Sequence, residues 1–163
     1  MTTASAKVKA EAFAALHRGP GCFVIPNPWD VGTAKMLSNM GFPALATTSA
    51  GFAFSIGRPD GGTTREQALA HARAIVDATE VPVSADLENG YGDAPETCAE
   101  TVRLAAATGL AGCSIEDATG RADPIYPFDA AVARVTAAVG AARGLGRPFM
   151  LTARAENFLH SRK

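Results

Sequence analysis

The chain has 163 residues, of which 47% are hydrophobic and 19% charged, and its formal net charge is −1. This length fits one globular domain, and the composition allows a buried core and argues against disorder. The near-neutral charge gives no electrostatic reason to expect nucleic acid or an anionic membrane as a partner, and the sequence has no run of 18 apolar residues to span a bilayer. A cytoplasmic protein is the default expectation.

An apolar run followed by a helical stretch recurs along the chain. An initial helix is predicted at about Ala6–Arg18, and strands are predicted at five apolar runs: Cys22–Pro26, Ala44–Thr47, Val81–Leu87, Ala111–Ile115 and Pro148–Ala153. Further helices are predicted at Trp29–Met40, Thr64–Thr79, Pro95–Thr108 and Phe128–Arg143. The segment from Ser49 to Gly62 is predicted to be a Gly-rich loop.

The cysteines and histidines do not suggest a metal site. Cys22, Cys98 and Cys113 lie far apart and form no CxxC pair, so they are expected to be small buried hydrophobic residues. The three histidines have no HxxxH or HExxH spacing, which argues against zinc.

Strands that alternate with helices predict a parallel sheet, and continuous apolar runs predict strands covered on both faces. A doubly wound open sheet and a (β/α)8 barrel both fit this pattern. No GxGxxG follows the first run, whereas polar residues follow several successive runs, at Ser49, Asp86, Glu116 and Arg154. A site drawn from many strand ends is typical of a barrel. The prediction is therefore one α/β domain over residues 1–163, a (β/α)8 TIM barrel truncated after about five strands. Its open edges favour pairing with another chain, so a homo-oligomer is expected.

The segment Ser84–Asp93 (SADLENGYGD) carries the strongest chemical pattern. Asp86 and Glu88 lie two residues apart at a predicted strand end, and side chains two apart on a strand share a face. Carboxylate oxygens together with water suit Mg²⁺, with Mn²⁺ as a second possibility, so both residues are candidate metal ligands. The alternative is a solvated acidic turn. An EF-hand is excluded, because the sixth position of its pattern is Tyr91 and the twelfth is Thr97.

Three other strand ends carry polar side chains. Glu116 follows the fourth run, and in a barrel it would stand on the same rim as Asp86, although a helix cap or surface turn is the alternative. Ser49 follows the second run, where exposed N–H groups could cradle a carboxylate or phosphate, or form an ordinary tight loop. Arg154 follows the fifth run and could hold a substrate carboxylate, pair with a neighbouring acid, or do both.

Two loop residues are weaker candidates. Trp29 lies just after the first run and could form the wall of a pocket, with a packing role as its alternative. Asp60 lies in the long second loop and could reach a metal through water, with surface solvation as its alternative.

Taken together, these motifs resemble the isocitrate lyase/phosphoenolpyruvate mutase superfamily, and within it the bacterial phosphonomutase-like proteins. The resemblance runs through residues 27–61 (NPWDVGTAKMLSNMGFPALATTSAGFAFSIGRPDG), 84–93, 114–117 (SIED) and 152–159 (TARAENFL), and these motifs occur in the family's order. It implies a (β/α)8 barrel that is commonly an oligomer with a swapped eighth helix.

The resemblance also implies roles for single residues. The implied Mg²⁺ site consists of Asp86, Glu88 and Glu116, acting directly or through water. The implied substrate-binding residues are Ser49, Ala50 and Gly51, to which Trp29 and Asn157 are added as candidates. The candidate catalytic residues are Arg154, Asp60 near the metal, and Arg121.

One departure from the family pattern limits the predicted activity. Isocitrate and methylisocitrate lyases carry a Lys-Lys/Arg-Cys-Gly-His segment after the fourth strand, but here the segment Asp117–Tyr126 has neither Cys nor His. Isocitrate lyase activity is therefore rejected. The mutase-type lysine is absent too, and Arg121 is the positive charge available there.

The sequence thus predicts a Mg²⁺-dependent lyase or mutase that acts on a small α-keto or 2-hydroxy carboxylate, at a C–C or P–C bond, through an enolate. The alternative is a catalytically inactive truncated barrel that serves only as an assembly or small-anion-binding module.

Overall fold

The structure, a computed structural model, describes the backbone of residues 3–162 and the side chains of residues 6–162. The helices are α1 (Thr3–Arg18), α2 (Val31–Asn39), α3 (Ser49–Ser55), α4 (Arg65–Ala78), α5 (Pro95–Ala107) and α6 (Phe128–Arg143). The strands are β1 (Leu45–Ala46), β2 (Val83–Asp86), β3 (Gly112–Glu116) and β4 (Met150–Arg154). None of the helices described has the length and apolar character needed to cross a bilayer.

The four strands form one parallel sheet in the spatial order β1-β2-β3-β4, the same as their order in the chain. A doubly wound sheet reverses its strand order at a switch point, whereas a barrel adds each new strand beside the last. The topology is therefore that of one wall of a (β/α)8 barrel. Register places Asp86 beside Ser114 and Glu116 beside Arg154, so polar residues of neighbouring strands meet at the carboxyl ends.

The two faces of the sheet differ in chemistry. The face turned toward the helices is apolar and buried, with Val83, Ala85, Cys113 and Ile115 at 1% exposure or less, packed on residues of α4, α5 and α6. The opposite face carries half-buried polar residues, namely Ser84, Asp86, Ser114 and Glu116. The prediction of strands with two apolar faces is wrong for β2 and β3, because their inner face lines an open cleft rather than a second helical layer.

Helix α1 lies at the amino ends of the strands. Ala10 and Phe13 of this helix form a small cluster with Ala44 and Ala111, the residues that directly precede β1 and β3. Because this cluster occupies the amino ends, the carboxyl ends of the strands are left as the open end of the sheet.

Helix starts follow the capping chemistry of the sequence. Thr64 accepts a hydrogen bond from the Gln67 N–H, and the Gln67 side chain accepts one from the Thr64 N–H, which forms a capping box at the start of α4. Asp30 accepts from the Thr33 N–H at 2.7 Å and is the N-cap of α2.

Two predicted segments differ in the structure. The run Cys22–Pro26 is extended, and its one backbone hydrogen bond to the sheet within residues 3–162 is donated by the Ala46 N–H to the Pro26 carbonyl. That part of the chain therefore has four strands rather than five. Pro26 and Pro28 lack the N–H donors that a regular ladder needs. Cys22 is consequently exposed, contrary to prediction, while Cys98 and Cys113 are buried as expected.

The predicted loop from Ser49 to Gly62 contains helix α3. Thr48 caps this helix by accepting from the Gly51 N–H at 3.2 Å. A Cβ at Gly51 would lie 2.6 Å from the Trp29 ring, so this glycine permits the helix to approach the indole. That close contact between distant segments could not be recognised from local composition.

Candidate active site

An open cleft of about 950 Å³ lies over the inner face of the sheet. Its polar lining comes from the ends of all four strands and the loops that follow them. The candidate residues that line it are Ser49, Ala50, Asp60, Asp86, Glu88, Glu116, Arg121 and Arg154. The structure thus brings together residues that are more than 100 positions apart in the chain.

Asp86 is the most heavily bonded carboxylate of this cleft. Its Oδ2 accepts from the Ser49 N–H at 3.2 Å and from the Ser49 hydroxyl at 2.9 Å, and its Oδ1 accepts from the Glu88 N–H at 3.2 Å. Its side chain is only 16% exposed. These bonds fix the carboxylate at the strand end and join the loops after β1 and β2.

Arg154 is the cation among the acidic side chains. Its Nη1 lies 3.6 Å from both Asp86 Oδ1 and Glu116 Oε2, and its Nη2 donates to Glu156 Oε1 at 2.6 Å. The guanidinium therefore bridges the ends of β2 and β3 from β4. The predicted ion pair with neighbouring acids is present, and the guanidinium still lines the cleft, where a substrate could reach it.

Glu88 lies just beyond β2 in an unusual backbone conformation, with φ of 49°. The Tyr91 hydroxyl donates to Glu88 Oε1 at 3.4 Å. Burial raises the pKa of the Glu88 carboxyl, and the charges of Asp86 and Asp60 raise it further. Asp60 thus lies close enough for its charge to raise the pKa of Glu88. The Asp60 side chain also accepts a hydrogen bond from the Gly61 N–H.

Glu116 carries the largest shift among the carboxylates of the cleft. Burial, the largest cause, and the charge of Asp86 together raise its pKa to about 7, although Arg154 opposes the shift. When several carboxylates crowd a half-buried site and one cation does not balance their charges, the protonated form of a carboxyl group is favoured. A divalent cation would supply the missing positive charge, so the chemistry of this donor set fits Mg²⁺ or Mn²⁺.

The geometry permits only a few direct protein ligands. Within residues 3–162, no three His, Cys, Asp or Glu side chains converge closely enough to enclose a metal ion. Mg²⁺ usually keeps several waters and takes one or two carboxylates, so Asp86, Glu88 and Glu116 fit a site in which some ligands act through water.

Ser49 and Gly51, at the two ends of the Ser49–Gly51 segment, donate hydrogen bonds within the chain. The Ser49 N–H and hydroxyl donate to Asp86, and the Gly51 N–H donates to Thr48. Ser49 and Ala50 line the cleft, whereas Gly51 is buried beneath it. Trp29 lies outside the main cleft and packs edge-on against Phe54.

Two other candidates are held by neighbours. Arg121 forms a bidentate pair with Asp93, at 2.7 and 3.0 Å, across the two loops that follow β2 and β3. The Arg121 and Tyr126 hydrogen bonds lower the pKa of Asp93 to about 2. Asn157 donates to the Arg162 carbonyl at 3.2 Å and does not line the cleft.

Glu156 and Arg134 are residues that sequence reasoning missed. The Glu156 side chain is 12% exposed, lines the cleft and orients Arg154. The two-residue spacing that singled out Asp86 and Glu88 also relates Arg154 to Glu156, so that pattern could have found it. Arg134 is 1% exposed in the middle of α6, and no local pattern marks it.

Comparison with known proteins agrees with this architecture. The sequence profile of the phosphoenolpyruvate phosphomutase family matches residues 13–163, which is most of the chain. The chain belongs to the phosphoenolpyruvate mutase family. In the isocitrate lyase/phosphoenolpyruvate mutase superfamily, whose fold is the (β/α)8 barrel, the four strands described above are consecutive strands of the barrel wall.

Individual relatives place the chain within this family. A crystal structure of a Burkholderia cenocepacia J2315 protein, provisionally described as a lyase/mutase, is 62% identical with a TM-score of 0.96, covering 98% of this chain and 58% of that one. The protein Rv1998c of Mycobacterium tuberculosis is 40% identical over 109 residues, which are 66% of this chain and 41% of that one. The 2,3-dimethylmalate lyase of Eubacterium barkeri is 40% identical over 96 residues, 58% of this chain and 33% of that one.

The matched regions therefore span between 33% and 58% of the lengths of these three relatives. The sheet order and the family membership agree with the predicted barrel.

The raised pKa of Glu116 predicts how stability depends on pH. Below pH 4.5, its ordinary value, the group is protonated in both folded and unfolded chains; between 4.5 and about 7 only the unfolded chain ionises, so stability falls as pH rises. Glu116→Gln removes this cost, which is about 1–2 kcal/mol above pH 7 after allowance for solvent screening. We expect its Tm to exceed the wild-type value by about 3–6 °C at pH 8 and by little at pH 4.

Thermal unfolding across this pH range measures the effect. Glu100→Gln is the matched control, because Glu100 is 51% exposed and its partner Arg103 is likewise exposed on α5. An increase in Tm for Glu116→Gln that is the same at pH 4 and pH 8 would contradict the assignment.

Proposed function

We propose that this chain forms the metal- and substrate-binding part of a Mg²⁺-dependent lyase or mutase that acts on a small α-keto or 2-hydroxy carboxylate through an enolate. One observation carries the proposal: the Arg154 guanidinium lies 3.6 Å from the carboxylates of both Asp86 and Glu116, with Glu88 on the same cleft. A divalent cation and an anionic substrate are the two ligands whose charges complement this set. The Eubacterium barkeri relative is a 2,3-dimethylmalate lyase, which supports the same reaction class.

The proposed roles follow from the position of each side chain. Asp86 and Glu116 would hold the ion from neighbouring strand ends, and Glu88 would complete the acidic side of the site, directly or through water. When bound, the ion supplies a Lewis acid that stabilises negative charge developing on the substrate as a bond to the adjacent carbon breaks.

Arg154 would bind the substrate carboxylate. Its Nη2 is held by Glu156 at 2.6 Å, while its Nη1 makes only the two longer contacts with Asp86 and Glu116. A cation bound there would offset the charges of those carboxylates, so Nη1 would be free to bind a substrate while Nη2 stays with Glu156. Ser49, which already donates to Asp86, would keep that carboxylate oriented while the substrate binds.

A turnover screen tests this proposal. The protein that carries this sequence is incubated with a panel of α-keto acids, 2-hydroxy dicarboxylates and phosphonates, and release of pyruvate, glyoxylate or phosphate is followed with Mg²⁺ and with EDTA. We expect turnover of one substrate class that EDTA abolishes and Mg²⁺ or Mn²⁺ restores. Turnover that is indifferent to chelation would contradict the metal assignment. A folded protein with no turnover that binds inorganic phosphate equally well in EDTA would favour the anion-binding alternative.

A further inference from the structure

Arg134 of α6 is a buried cation directed at backbone carbonyls. Its side chain is 1% exposed, and its guanidinium donates to the carbonyls of Gly92 (2.6 Å), Asp93 and Asn89. The guanidinium also lies over the Tyr126 ring, 4.0 Å from its centroid. The planar fork of arginine can serve several acceptors at once, which an ammonium group does less well.

The three carbonyls belong to one short loop, residues 88–93, that follows β2. Glu88 and Tyr91 have φ values of 49° and 62° there, in the left-handed region that non-glycine residues rarely adopt. Such residues are strained, and they persist only where surrounding contacts hold them. The Thr101 hydroxyl also stabilises this loop by donating to the Gly90 carbonyl at 2.8 Å.

Because this loop begins at Glu88, its conformation decides where the Glu88 carboxylate points. We propose that Arg134 is a positioning residue that holds loop 88–93 in the conformation that presents Glu88 to the metal. This inference rests on the proposed function, since it concerns the same metal site. Arg134 does not line the cleft, so it acts through the loop rather than by contact with the metal or the substrate.

Lys9 offers a matched comparison elsewhere in the chain. It is 5% exposed, and its ammonium group donates to the carbonyls of Val76 and Thr79 near the end of α4. It is thus also a buried cation on backbone carbonyls, but on α1 and away from loop 88–93. Its loss should reduce stability without moving Glu88.

The test compares Arg134→Met, Arg134→Lys and Lys9→Met with the wild-type chain in two measurements. Mn²⁺ affinity is determined by calorimetry, and deuterium exchange is followed in a peptide that covers residues 86–95. We expect Arg134→Met to bind Mn²⁺ at least about tenfold more weakly, as is typical when support for a metal ligand is lost. It should also expose loop 88–93 to exchange. Arg134→Lys should be intermediate, and Lys9→Met should keep both wild-type affinity and wild-type loop exchange.

The outcomes separate this inference from the proposed function. If the wild-type chain binds Mn²⁺ and Arg134→Met binds it equally well, the positioning role is overturned and the metal site stands. If Lys9→Met weakens Mn²⁺ binding as much as Arg134→Met, the effect is one of stability and the positioning role is again overturned. If the wild-type chain fails to bind Mn²⁺, the proposed function fails, and loop exchange alone then decides whether Arg134 fixes the loop. Should Arg134→Met not fold, Arg134→Lys supplies the comparison.

Discussion

Replacing Asp86 with alanine is expected to abolish detectable Mg²⁺ and Mn²⁺ binding. The substitution removes one of the proposed ligands, and it also removes the acceptor that joins the Ser49 hydroxyl and the Glu88 N–H to one strand end. Without that acceptor, Ser49 and Glu88 lose a shared partner in a half-buried site, and unsatisfied donors there cost about 1–3 kcal/mol each. Metal affinity should therefore fall further than it would if only the negative charge of Asp86 were lost.

Calorimetric titration with Mn²⁺ measures this effect, and Asp77→Ala is its control. Asp77 pairs with Arg73 on the surface of α4, where its side chain is 45% exposed, so its loss changes net charge equally without touching the cleft. Asp86→Asn keeps the size and one oxygen of the side chain, so it should keep the local hydrogen bonds but not the Mn²⁺ affinity. Unchanged Mn²⁺ affinity in Asp86→Ala would refute the assignment of the metal site.

The helices were predictable where their ends carry local chemistry. The capping box of Thr64 and Gln67 and the proline at the start of α5 set helix boundaries through groups only a few residues apart. Helix α3 has a local N-cap, Thr48, but the Gly-rich composition of the segment favoured a loop. The close approach of Gly51 to the ring of Trp29, which lies 22 residues earlier in the chain, has no local signal.

The prediction that Asp86 and Glu88 share one face of a strand holds only in part. Two residues apart on a strand share a face, but β2 ends at Asp86, and Glu88 lies beyond it in a left-handed turn. Both carboxylates nevertheless line the cleft, because the loop turns Glu88 back toward it. That turn is held by Arg134, which is 46 residues further along the chain, so spacing near the motif could not reveal it.

Arg154 is proposed to bind the substrate and lies beside the proposed metal ligands, so its replacement should affect metal binding and turnover differently. Arg154→Met removes the guanidinium from between Asp86 and Glu116, where it now offsets their negative charge from 3.6 Å on each side. A divalent cation would then face two carboxylates with no competing cation, so Mn²⁺ affinity should be kept or increased. Turnover should fall by about two to three orders of magnitude, as expected when a charged donor to the reacting substrate is lost.

Opposite changes in the two measurements are the decisive feature, because a variant that merely unfolds loses both. Arg103→Met serves as the control, since Arg103 pairs with Glu100 on the exposed side of α5 and its loss should change neither Mn²⁺ affinity nor turnover. If Arg154→Met instead loses Mn²⁺ affinity together with turnover, Arg154 supports the geometry of the acidic site and is not the substrate ligand. If Mn²⁺ affinity and turnover both stay at wild-type values, the guanidinium serves neither ligand and its ion pairs with the two carboxylates are structural.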